Sequence, residues 1–134
     1  MTAVDEAARS TGSRIGGAVL AFVVGVVAGL ILTVGHHHVW RIGGAELPWG
    51  LVLALAGVAC LVAGLRLLAA DRWPAIAAAI GIVGTVAVLT LPGPGGSVLV
   101  PGGIPGIVWA IGPALVSVVV LAWPRLPERG RRHA

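Results

Sequence analysis

Residues 15–35 read IGGAVLAFVVGVVAGLILTVG, without a single charge, and Thr33 is their only polar side chain. A helix needs roughly 20 apolar residues to cross a bilayer core, because each residue advances about 1.5 Å. Three more runs of this kind follow: 49–70 (WGLVLALAGVACLVAGLRLLAA), 73–91 (WPAIAAAIGIVGTVAVLTL) and 104–123 (IPGIVWAIGPALVSVVVLAW). Only the second carries a charge, Arg66, close to its end. In lipid the backbone must satisfy its hydrogen bonds within the segment, so each run is expected to be a transmembrane helix. The fold class expected is an all-α membrane protein, its four helices arranged as two antiparallel hairpins.

Composition agrees. Of 134 residues, 57% are hydrophobic and 10% charged, and mean hydropathy is +1.01. A soluble domain carries about a quarter charged residues, so water-soluble and disordered classes are excluded. All nine basic residues are Arg and the net charge is +4. They flank apolar runs, which points to orientation in a membrane and to no nucleic-acid partner. Cys60 is the only cysteine and lies inside the second run, so neither an intramolecular disulfide nor a thiolate metal cluster can form.

Outside the runs, residues 1–14 are expected to be a flexible cytoplasmic tail, 15–123 the transmembrane domain, and 124–134 a basic cytoplasmic tail. The first run is longer than the usual signal-peptide core of about 7–15 residues, so it is expected to be retained. If the helices alternate, one side holds Arg9, Arg14, Arg66, Arg72, Arg125, Arg129, Arg131 and Arg132, and the other holds only Arg41. Cytoplasmic segments are enriched in Arg, which predicts a multi-pass protein of the cell's inner (plasma) membrane with both termini cytoplasmic. Arg72, Arg129, Arg131 and Arg132 are expected to fix topology and touch anionic lipid headgroups. Arg66 is expected to reach the headgroups along its stem, with Asp71 as a partner. Trp49, Trp73 and Trp123 stand at run ends, where indole prefers the headgroup region.

Apolar tails do not drive helices together in lipid, so close packing of small residues must. Gly17, Ala21, Gly25 and Gly29 recur every four residues on the first run. Ala77, Gly81 and Thr85 repeat the spacing on the third, Gly106, Ala110 and Ala114 on the fourth, and Ala56, Cys60 and Gly64 on the second. A packing ridge on the first run is the reading this supports, within the chain or against a partner. Pro113 interrupts the fourth run and predicts a kink there.

Chemistry is sparse. No carboxylate falls within a run, which removes the usual mark of a proton or ion path. It also sets the chain apart from small four-helix drug exporters, which rely on a glutamate in the first helix. His36, His37 and His38 are good ligand types for Zn or Cu, and Glu46 shares their link. Three successive histidines point apart, however, so a solvated juxtamembrane stretch competes with a metal site. No nucleophile, base and acid can be assembled, and no cofactor is expected. The outer link 92–103 (PGPGGSVLVPGG) is expected to be a surface turn.

The segment LALAGVACLVAGLRLL (Leu53 to Leu68), followed by LPGPGGSVLVPGG (Leu91 to Gly103), resembles a family of small actinobacterial membrane proteins of unknown function. The resemblance covers helices two to four. It implies four helices, cytoplasmic termini and a gene neighbourhood shared with the deacetylase of mycothiol biosynthesis; it supplies no catalytic residues. The function expected is a non-enzymatic accessory, assembly or scaffold subunit that packs against a membrane-protein partner or itself. The alternatives are a small channel or facilitator for a neutral solute, and a metal-binding protein using the His triplet.

Overall fold

The computed structural model describes residues 2–100 and 102–124. Its elements are α1 (Ala3–Gly35), β1 (Trp40–Ile42), β2 (Ala45–Leu47), α2 (Trp49–Leu68), α3 (Trp73–Thr90) and α4 (Ile104–Ala122). All four helices are long and apolar enough to cross a membrane.

α1 begins twelve residues before the apolar run, at Ala3 rather than Ile15. The expected tail is helical because Thr2 and Asp5 form a capping pair. The Thr2 N–H donates to Asp5 Oδ2 at 3.3 Å and the Thr2 hydroxyl to the same oxygen at 2.8 Å. Asp5 and Glu6 in the first turn also complement the helix dipole. At about 1.5 Å per residue the helix is about 50 Å long, well beyond a bilayer core of about 30 Å. Its charged first turns therefore project past the apolar zone.

Within the link between α1 and α2, residues 40–47 form an antiparallel β-hairpin, with Trp40 opposite Leu47, Arg41 opposite Glu46 and Ile42 opposite Ala45. Gly43 and Gly44 make the two-residue turn at φ 57° and 87°, a backbone that other residues adopt only with strain. α2 ends at Leu68, two residues short of its run, where Ala69 is extended. The Asp71 carboxylate then accepts the Trp73 N–H at 3.2 Å, and Pro74 stands in the first turn of α3, where its missing N–H is harmless. α4 runs through Pro113 from Ile104 to Ala122.

α1 packs chiefly on α3 and α2 chiefly on α4, while α2 and α3 each touch all the other helices. The closest packing thus joins non-consecutive helices, rather than the sequential hairpins expected. The core runs between α2, α3 and α4. It contains Leu51, Ala54, Val58 and Val62 of α2, Ala75, Ala79, Ile82 and Val86 of α3, and Trp109 of α4. Val100, from the Pro/Gly link before α4, joins them, so that link plugs the end of the core as well as crossing the surface.

Candidate functional site

Two features of the fold gather the distinctive residues: a seam between α1 and α3, and polar clusters at the two ends of the bundle.

In the seam, Ala21, Gly25 and Gly29 are buried on α1. A methyl group at Gly25 would collide with the Ala78 backbone, and one at Gly29 would stand 3.2 Å from the Ile82 carbonyl oxygen. From the other side, a methyl at Gly81 would stand 2.5 Å from the Phe22 carbonyl oxygen and 2.9 Å from the Val26 nitrogen. The backbones touch because neither helix has a Cβ in the way, which is how small residues hold helices together in lipid. The contacts advance in the same direction along both chains, so α1 and α3 run parallel.

Gly17 lies outside this seam: it is exposed, with open space where a side chain would go. Two turns before Ala78 is about residue 70, ahead of the start of α3 at Trp73. Among the described residues no helix therefore faces Gly17. Gly106 is buried on α4, in line with Trp109, Pro113 and Ser117. The series Ala56, Cys60 and Gly64 on α2 is corrected: Ala56 and Cys60 are exposed and a Cβ at Gly64 would meet nothing within 4 Å, while residues 51, 54, 58, 62 and 66 lie on the buried face.

At one end, Thr33, His36 and Trp109 form a buried cluster. The Trp109 indole N–H donates to Thr33 Oγ1 at 3.2 Å, and the Thr33 hydroxyl donates to the Gly29 carbonyl at 2.6 Å. The His36 ring stacks on Trp109, with centroids 5.1 Å apart and planes at 11°. Its Nδ1–H donates to the Thr33 carbonyl at 2.5 Å. A carbonyl can only accept, so the proton sits on Nδ1. Burial pushes the His36 imidazole below its usual pKa, as does neighbouring His37, against the opposing pull of the Thr33 carbonyl.

The three histidines do not converge. His37 Nε2 reaches the Leu99 carbonyl at 3.0 Å and His38 Nδ1 the Gly35 carbonyl at 3.1 Å. Each ring therefore commits one nitrogen to a different backbone oxygen. Among the described residues no group of three His, Cys, Asp or Glu side chains could hold a metal ion. In place of the metal site weighed for the triplet, the three rings make separate ties to the backbone. The His38 carbonyl accepts the Gly50 N–H at 3.0 Å, and a methyl at Gly50 would stand 2.5 Å from the Gly35 carbonyl oxygen. Gly50 is what lets the link cross the first turn of α2.

At the other end, Arg66 is buried rather than extended to the headgroups. Its guanidinium donates to the Val120, Leu121 and Trp123 carbonyls, closing the last turn of α4. These oxygens have no partner within the helix, and a cation there also offsets the negative end of the dipole. Asp71, the expected partner of Arg66, pairs with Arg14 at 2.8 Å and so ties α1 to the link before α3. That guanidinium holds the Asp71 carboxyl below the usual carboxylate range. Arg72 is exposed at the start of α3. Arg129, Arg131 and Arg132 lie outside the described residues.

Thr85 and Thr90 donate to the carbonyls one turn back, Gly81 and Val86, both at 2.7 Å. Ser117 Oγ is buried without a partner among the described residues. The polar side chains of the helices thus serve mainly to bind the helices to themselves and to each other.

The reading of the sequence missed Trp109, Gly50 and the β-hairpin. Trp109 lies near a helix end and reads as an interfacial indole, although it is fully buried. The hairpin does have a local signal, Gly43–Gly44 between two short runs of β-forming residues. No family model, no curated protein and no solved structure matches the chain.

Proposed function

We propose that the protein is a non-enzymatic accessory or scaffold subunit of the plasma membrane that works by seating a transmembrane helix of a partner protein. One observation carries the reading. α3 lies between α1 and α4, and its exposed Ile80 and Gly84 line both of the apolar grooves that flank it. Phe22, Val26 and Leu30 wall one groove, and Ala114, Ser117 and Val118 the other. Gly84 is exposed with nothing within 4 Å of where a Cβ would be. A visiting helix could approach the backbone there as closely as α1 approaches it at Gly81.

This reading moves the partner surface. Gly25 and Gly29 are occupied within the chain, so they cannot be the ridge offered to a partner. Both termini are assigned to the cytoplasm from the distribution of Arg residues, with the basic C-terminal residues against anionic headgroups.

The test is quantitative mass spectrometry of proteins recovered with a C-terminally tagged copy from native membranes in mild detergent. The reading predicts one partner at fixed stoichiometry, lost on Gly84→Leu, a change that meets open space and leaves the fold intact. Recovery of the chain alone, or only as a homo-oligomer, would contradict it.

A further inference from the structure

The β-hairpin is amphipathic in a way that the helices are not. Residues directly opposite in an antiparallel pair share a face, and neighbours along a strand alternate. The register therefore puts Trp40, Ile42, Ala45 and Leu47 on one face and the Arg41–Glu46 pair on the other. The ion pair closes at 2.9 Å. The apolar face has no cover: Trp40, Ile42 and Leu47 are 63%, 60% and 59% exposed. Two strands of three residues are too little to stand alone in water.

We infer that this hairpin is a membrane-surface paddle, lying in the bilayer interface at the His36 end with its apolar face against lipid. Continuity with the lipid-facing belt is the argument for that occupant. The hairpin starts five residues after α1 ends and stops two residues before α2 begins, and both helices are of membrane-spanning length and composition. Its base is bonded to the first turn of α2 by the Gly50 N–H and the His38 carbonyl. Trp49, at the head of that helix, lies beside it and is itself part-exposed. An indole at this height prefers the headgroup zone, and Ile42 and Leu47 reach the acyl boundary from the same face. The charges on the opposite face cancel, so contact with lipid requires no anionic headgroup.

The test uses the whole protein in vesicles, with Cys60→Ala as background. An environment-sensitive fluorophore is attached at Ile42→Cys or, separately, at Glu46→Cys. It is then quenched by lipid-borne nitroxide or by aqueous iodide, in vesicles of purely zwitterionic lipid. We expect the label at 42 to be quenched severalfold more by nitroxide than by iodide, and the label at 46 to show the reverse. The same contrast should appear in vesicles containing anionic lipid. Equal access of iodide to both positions would overturn the inference, and so would shielding of position 42 from both quenchers, the mark of a protein partner or second copy. As a check that needs no label, nitroxide quenching of the wild-type tryptophan emission should fall on Trp40→Phe; an unchanged value would also overturn it.

Discussion

His36 is where a single side chain makes the fold sensitive to its surroundings. Buried against Trp109 and bonded to the Thr33 carbonyl, it is held as neutral imidazole, with its pKa below the usual 6.5. The unfolded chain therefore takes up this proton at higher pH than the folded one. The stabilisation is complete above about pH 6.5 and is lost as pH falls from there through the depressed folded value. Thermal unfolding in detergent should shift to lower temperature on going from pH 7.5 to pH 5, and His36→Phe, which keeps the stack, should diminish the shift. A shift of equal size in the variant would assign it to other groups. Trp109→Phe removes the N–H donated to Thr33 and also shrinks a fully buried ring. By chemical denaturation it should cost more than about 1 kcal/mol, the usual net worth of one hydrogen bond, because a cavity is left as well. Neither role was legible in the sequence. A triplet of histidines advertises metal chemistry, but which carbonyl each ring meets depends on chain crossings that only the fold creates.

Among the elements, the α1–α3 seam and the clamp on α4 make separate predictions. Gly25→Leu drives a side chain into the Ala78 backbone and should destabilise the protein by at least the 1–3 kcal/mol typical of overpacking, seen as a lower melting temperature. Gly17→Leu, which meets open space, should leave that temperature unchanged. Arg66→Met strips the last turn of α4 of its cap and should speed hydrogen exchange at residues 120–123, with a loss of about 1–3 kcal/mol. Lys at this position should restore little, because one ammonium cannot address three carbonyls as a planar fork does. The helices themselves were legible: run length and the absence of charge locate four of them, and the ends of α3 and α4 fall within a residue of expectation. Their faces were not. Core and lipid are equally apolar, so no alternation of apolar and polar positions distinguishes residues 51, 54, 58 and 62 of α2 from residues 56, 60 and 64. The regular spacing on α1 identified Gly25 and Gly29 correctly but carried the series one step too far, to Gly17. The extension of α1 to Ala3 was signalled by Thr2 and Asp5, a local cap that a search for apolar runs passes over.

At the scale of the whole molecule, the internal bonding leaves apolar surface as what the protein offers its surroundings. The seam occupies the Gly25–Gly29 face of α1, the clamp occupies Arg66, and the end cluster occupies Thr33 and Trp109. Among the apolar surface left open is the face of α3 between α1 and α4, where Ile80 and Gly84 line the grooves on both sides. The composition announces a membrane protein, but these grooves depend on which helices become neighbours, and α1 lies on α3 rather than on the helix that follows it. A photoreactive amino acid at Ile80, activated in native membranes, tests the central claim most directly, with Val52 on α2 as a lipid-facing reference. The account predicts one discrete protein adduct from Ile80, absent from Val52 and lost when Gly84→Leu is added. Lipid adducts alone from both positions would contradict it.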